Sequence, residues 1–310
     1  MSKIITLTFN PVIDKSSTVD RIVPDKKLRC SSPHFTPGGG GINVSRALKN
    51  LGKDSTALFP AGGHSGNFLI DLLKEEGINS EVTSTSTNTR ENFIVVDISS
   101  NQQFRFGFPG DAITEKELKN LIAKLEAQDA DYIVASGSLL PGMPDEILGE
   151  IAKIAKKKKA RFIVDTSGKA LQHSLDDGVF LLKPNLGELS SLVGKEEVGE
   201  GELNEIAREK INKGQCEIVV VSMGEKGARL VTKNESFQAR APKIKRVSTL
   251  GAGDSMVAGM VLGLINNLPM PEVLQWGVAC GTAATMTSGS ELCQKEDVQR
   301  LLKEIDLSPV

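Results

Sequence analysis

The 310-residue sequence predicts a three-layer α/β/α fold on a mainly parallel sheet. Three observations carry that expectation: short, nearly all-apolar β-rich runs, helix-period stretches alternating with them, and two segments that break the rhythm. The apolar runs at residues 4–9, 56–59, 132–135, 162–165, 180–183 and 218–221 are what parallel strands buried on both faces require. Helical periods follow Gly41 and Gly66 and fill residues 144–158, so strand and helix succeed one another as βαβ units. With no long linker and no internal repeat, a single domain over residues 1–310 is expected.

The two breaks, residues 16–35 and 91–108, alternate polar and apolar positions and lack a helical period. They are expected to form antiparallel strands of one small sheet, inserted at about 15–35 and 90–108 and placed like a lid over the site. A sheet of few strands is marginal unless its apolar face is covered. The lid of a second copy would cover it, so a homodimer is expected. Residues 253–305 read as helices punctuated by the Asn266-Asn267-Leu268-Pro269 turn. The lysines at 156–159 close a helix, where positive charge complements the helix dipole.

Charge is nearly balanced, with 37 Lys and Arg against 39 Asp and Glu, so neither nucleic acid nor an anionic membrane is an expected partner. The four cysteines are dispersed and read as structural thiols of a reducing, cytoplasmic compartment. The first strand turns polar at Asn10 and Asp14, too soon for a signal-peptide core. No apolar segment approaches the length of a membrane span.

Any anionic ligand must therefore be met locally, and two glycine clusters offer the means. In Pro37-Gly38-Gly39-Gly40-Gly41-Ile42-Asn43-Val44, residues without a Cβ let backbone amides approach an oxygen-rich ligand. A tight strand-helix turn is the alternative, but it rarely needs four glycines. Asn43 adds an amide suited to sugar hydroxyls. The second cluster, Gly251-Ala252-Gly253-Asp254, opens a helix whose amides would face the oxygens of a transferred phosphoryl group. Asp254 reads either as an ordinary helix-start aspartate or as the base that takes a proton from an attacking hydroxyl. The Gly-Ala-Gly before it favours the base, because it sets an anion pocket and a carboxylate within one turn.

Lys183-Pro184-Asn185-Leu186-Gly187-Glu188 follows an apolar strand, where α/β sheets bind ligands. Asn185 and Glu188 are placed either to hold Mg²⁺ through water or to cap the next helix reciprocally. Lys27, Arg29, Arg90 and Arg105 concentrate positive charge in the two inserted segments and suit an acceptor phosphate. Ser222, Gly224 and Gly227 form a strand-glycine turn fit for nucleotide contact or for a hairpin.

Together these motifs, with Thr89-Arg90, Ser136-Gly137-Ser138-Leu139 and Asp165-Thr166-Ser167-Gly168, resemble the ribokinase-like carbohydrate kinases of the phosphofructokinase B type along nearly the whole chain. The resemblance implies a ribokinase-like core with a small β-sheet lid, and transfer of a phosphoryl group from Mg·ATP to a phosphosugar. Asp254 would be the base and Gly251, Ala252 and Gly253 the anion hole. Asp14, Gly39, Gly40 and Asn43 would bind the sugar; Lys27, Arg29, Arg90 and Ser138 would hold its phosphate. Lys183, Asn185, Ser222, Gly224 and Gly227 would lie at the nucleotide, Glu188 would organise Mg²⁺, and the carbonyls of Ser248 and Leu250 would take K⁺.

Lys27-Leu28-Arg29-Cys30, the unbroken glycine run and Gly289-Ser290-Glu291-Leu292-Cys293 resemble the branch acting on fructose 6-phosphate. Tagatose 6-phosphate and fructose 1-phosphate are the alternative acceptors, and a non-catalytic sugar-phosphate sensor the alternative class. The chain departs from the family pattern at Leu140, where a proline is usual, and at Glu291, where arginine is common.

Overall fold

A computed structural model describes residues 2–287 and 291–310; Gly289 and Ser290, counted above in the family resemblance, lie outside the described residues. The first half of the core alternates β1 (Ile4–Leu7), α1 (Gly40–Asn50), β4 (Thr56–Ala61), α2 (Gly63–Glu75), β5 (Asn79–Ser84), α3 (Glu115–Ala127), β8 (Tyr132–Ser136) and α4 (Ile147–Lys158). It continues with β9 (Arg161–Asp165), α5 (Gly168–Ser174), β10 (Val179–Leu182), α6 (Leu186–Leu192), α7 (Leu203–Asn212) and β11 (Cys216–Ser222). Strands β12 (Ala228–Val231) and β13 (Ser236–Arg240), helices α8 (Ala252–Ile265), α9 (Met270–Thr285) and α10 (Lys295–Leu301), and β14 (Asp306–Pro309) complete it.

The strands form one ten-stranded sheet in the order β14-β13-β12-β11-β10-β9-β8-β1-β4-β5. From β5 to β11 neighbouring strands are parallel; β12, β13 and β14 add antiparallel strands at one edge. Alternate residues of each central strand enter opposite cores, as the period of two demands. In β8, Ile133 and Ala135 face α3, α4 and α5, while Tyr132 and Val134 face α1, α8 and α9. Helix α8 is apolar nearly all round and buried along its length, so α9 can pack directly on it.

The small sheet has the order β3-β2-β6-β7, from β2 (Val12–Val19), β3 (His34–Gly38), β6 (Arg90–Asp97) and β7 (Gln102–Phe106). It starts a few residues before the expected boundary of the first insertion. Each insertion is an antiparallel pair, as expected, but the two join through parallel β2 and β6. The core strands β4 and β5 intervene between them, so no tight turn can join β2 to β6 and force them antiparallel.

The sheet's two faces differ. Asp14, Thr36, Arg90, Asn92 and Arg105 share one face by register, while Phe35, Lys15, Phe93 and Phe106 form a cross-strand row on the other. Phe35 meets Phe68 of α2 edge-on at 5.2 Å, whereas Phe93 and Phe106 are 38% and 51% exposed. Of the cysteines, Cys216, Cys280 and Cys293 are buried thiols as expected, but Cys30 is exposed, because its segment runs outside both sheets. Among the described residues no helix is long and apolar enough to cross a membrane.

Candidate active site

The strand order explains how distant motifs meet. At the carboxyl ends of adjacent β1, β8, β9, β10 and β11 stand Asn10, Ser136, Asp165, Lys183 and Ser222, the edge where open α/β sheets bind ligands. Helix α8 points its N-terminus at this edge.

Asp254 does not cap its own helix. Its Oδ2 accepts from Asn43 Nδ2 at 2.9 Å and its Oδ1 from Ser136 Oγ at 3.0 Å. Asp254 is the acidic residue of the first turn of α8, and both of its oxygens are also held by side chains of other elements. Gly251 occupies the N-cap with φ +69° and offers no capping side chain; the Ala252 amide makes a long 3.4 Å bond to Thr249 O, and the other first-turn amides keep their capacity for an anion. Burial, and then the nearby charge of Asp165, push the Asp254 carboxyl up to about 6, against the opposing pull of Asn43, Ser136 and Lys183. It is therefore mainly ionised at neutral pH and close to the range in which a general base works best.

Lys183 is buried and pairs with Asp165 at 2.9 Å. Burial disfavours its charge, but Asp165, with Glu188 and Asp254 farther away, raises it above the ordinary lysine range. A methyl group on Gly253 would lie 3.7 Å from Lys183 Nζ and 3.8 Å from Asp165 Oδ2, which places this ion pair under the mouth of α8. Asn185 and Glu188 adopt the reciprocal cap: Asn185 N donates to Glu188 Oε2 at 2.8 Å and Glu188 N to Asn185 Oδ1 at 2.9 Å. Burial first, and the Asp165 charge as well, raise Glu188, with the cap bonds opposing. A divalent cation would relieve the repulsion between these two carboxylates. Among the described residues no group of three or more His, Cys, Asp or Glu is arranged to hold a metal.

The glycine run packs close to the strand ends. Gly39 has φ +113°, and a Cβ on Gly40 would sit 2.4 Å from the Ser136 carbonyl carbon, so the turn reading accounts for part of the run. Arg46 braces it: Nη1 donates to Pro37 O at 3.1 Å while Nε and Nη2 grip Glu76 at 2.5 and 2.8 Å.

On the polar face of the small sheet, Asn92 donates to Asp14 at 3.0 Å. Burial raises Asp14, opposed by Asn92 and by Arg90, Arg46 and Arg105. Arg90 reaches the carbonyls of Phe108 at 3.0 Å and Asn10 at 3.2 Å, and burial lowers its guanidinium while Asp14 offsets this. Arg105 touches Ser248 Oγ at 3.4 Å and so ties the small sheet to the segment before α8. Ser138 is exposed and accepts from Asn10 Nδ2 at 3.2 Å. Lys27 and Arg29 are not brought into this constellation: they lie in the exposed connection between β2 and β3.

Beside α8 opens a cavity of about 570 Å³ lined by Ser222, Gly224, Gly227, Gly253, Met256 and Thr282, among others. Lys243, and Arg246 paired to Glu225 at 2.8 Å, stand on its wall. Reading from sequence missed these two, although three basic residues within positions 243–246 precede the second glycine cluster. It also assigned no role to Ser136 or Asp165, which end apolar strands far from Asp254 in the chain.

A carboxylate in the first turn of α8, a buried lysine-aspartate pair and an adjoining cavity thus meet at the carboxyl edge of the sheet, an arrangement chemically suited to phosphoryl transfer. The chain belongs to the pfkB family of carbohydrate kinases, whose model matches residues 7–297. It is 42% identical to the ATP-dependent 6-phosphofructokinase isozyme 2 of Escherichia coli, over 97% of this chain and 98% of that protein. The 1-phosphofructokinase of Bacillus subtilis is 33% identical, over 98% and 99% of the two chains. The crystal structure of the Escherichia coli phosphofructokinase-2 in complex with potassium superposes with TM-score 0.94 at 42% identity, covering 98% of this chain and 99% of that one. The complex with fructose-6-phosphate gives TM-score 0.92 at 41% identity over the same shares.

Proposed function

We propose that the chain transfers the γ-phosphoryl group of Mg·ATP to the 1-hydroxyl of fructose 6-phosphate, forming fructose 1,6-bisphosphate and ADP, a glycolytic step. The observation that carries this reading is the double support of Asp254 by Asn43 and Ser136 at the uncapped start of α8. Asp254 takes the proton as O1 attacks the γ-phosphorus and the bond to the ADP oxygen breaks. The amides of Gly251, Ala252 and Gly253 meet the charge on the transferring oxygens, and Lys183 holds the donor phosphates.

Asp14, Gly39, Gly40 and Asn43 bind the sugar, and Arg90 and Ser138 its phosphate; Lys27 and Arg29, which stand apart in the exposed β2–β3 connection, would reach a phosphate across the lid of the second copy. Asn185, Ser222, Gly224 and Gly227 contact the nucleotide. Glu188, which senses the charge of Asp165, would organise Mg²⁺ through water, and the ion when bound would neutralise phosphate charge. The neutral carbonyls of Ser248 and Leu250 suit a hard monovalent cation, in line with the potassium complex of the Escherichia coli enzyme. Glu291 presents its carbonyl to Asn50 and Gln294.

The small sheet is a lid on one kinase domain spanning residues 1–310, and a second copy covers its exposed aromatic face in a homodimer. Free thiols and ATP as co-substrate fit a cytoplasmic protein. Comparing kcat/KM for fructose 6-phosphate, tagatose 6-phosphate and fructose 1-phosphate tests the reading. Preference for the first is expected; preference for either other acceptor would reassign the substrate, and no phosphosugar-dependent ADP release would end the kinase reading.

A further inference from the structure

Asn10 has no part in the roles assigned above, yet it is 7% exposed and sits where two of the acceptor-phosphate groups meet. Its side-chain amide donates to Ser138 Oγ across 128 residues of sequence, and its main-chain carbonyl accepts from Arg90 Nη2. Asn10 and Arg90 both line a small pocket of about 20 Å³, and Asn10 Oδ1 and Arg90 Nε are buried without a hydrogen-bond partner among the described residues. A space of that size takes about one water-sized polar group.

We infer that Asn10 is a positioning residue that joins Ser138 and Arg90 into a single phosphate-holding unit. The inference rests on the assignment of those two residues to the acceptor phosphate. A serine hydroxyl has one proton to give and can accept as well. Because Asn10 Nδ2 donates to Ser138 Oγ, the serine's own proton stays available for a phosphate oxygen. A carboxylate at position 10 would reverse this, drawing the serine proton to itself and setting negative charge beside the phosphate.

The test compares Asn10→Ala with the isosteric Asn10→Asp. Asn10→Ala should raise KM for fructose 6-phosphate about 3–10-fold, the scale of one neutral hydrogen bond. Asn10→Asp should raise it at least about 30-fold, because charge repulsion adds to the lost donor. In both, kcat and KM for ATP should stay within about 2-fold, and calorimetric binding of fructose 6-phosphate should weaken in the same order. In a Ser138→Ala background, Asn10→Ala should add little.

A merely structural role would make the isosteric variant the milder one. That order, a loss shared by kcat and KM for ATP, or additivity with Ser138→Ala would overturn the inference while leaving the kinase reading intact. A wild-type chain without fructose 6-phosphate-dependent ADP release would overturn both.

Discussion

At the phosphoryl-transfer end of the cleft, Asp254, Asn43, Ser136, Lys183 and Asp165 are fixed on helix starts and strand ends by bonds of 2.9–3.0 Å within one chain. At the acceptor end, Arg105, Ser138, Lys27 and Arg29 are exposed, and Lys27 and Arg29 lie outside regular structure. The first region is preorganised, as electrostatic stabilisation of a transition state requires. On the function proposed above, the second would be completed by the second copy that covers the small sheet. Chemistry and acceptor capture should therefore respond to different substitutions.

Removing the cover should produce the largest separation between the two ends. Phe93→Asp with Phe106→Asp places charges on the exposed aromatic row, which as an apolar patch marks an interaction surface. Sedimentation should show the dimer lost, with KM for fructose 6-phosphate raised about 10-fold or more and KM for ATP changed less than about 2-fold. A double variant that stays dimeric, or loses ATP affinity equally, would break the contrast.

A smaller effect is expected inside the preorganised end. Ser136→Ala removes a bond that favours ionised Asp254. The wild-type kcat/KM profile should fall as pH drops through about 6, where Asp254 takes up its proton. In Ser136→Ala that acid limb should move to higher pH, since the anion loses a donor, with kcat lowered about 3–10-fold. A limb that stays put would remove Ser136 from the support of the base.

The same contrast decides what could be read from sequence. The central strands were legible because burial on both faces forces unbroken apolar runs such as residues 218–221. Edge strands were not: Asn79–Ser84 is largely polar because water or a few side chains cover one flank. Asp254 and Asn43 were legible through their glycine neighbours, although close packing and a positive φ account for part of the first glycine run. Ser136 and Asp165 carry no such mark, since their importance comes from strand order, and a serine or aspartate at a strand end is ordinary. Asn185 and Glu188 show why spacing alone left two readings, as one i, i+3 pair caps the helix while Glu188 also feels the charges of Asp165 and Lys183. The parallel joint of β2 and β6 follows from the chain's path between them, which no local pattern encodes.

Asp254→Asn tests the base assignment most directly, because it removes the proton acceptor while keeping shape and most hydrogen bonding. The variant should fold, bind ATP and fructose 6-phosphate within a few-fold of wild type, and lose about 10²–10⁴-fold in kcat. Near-normal kcat with intact binding would contradict the assignment of Asp254 as the base.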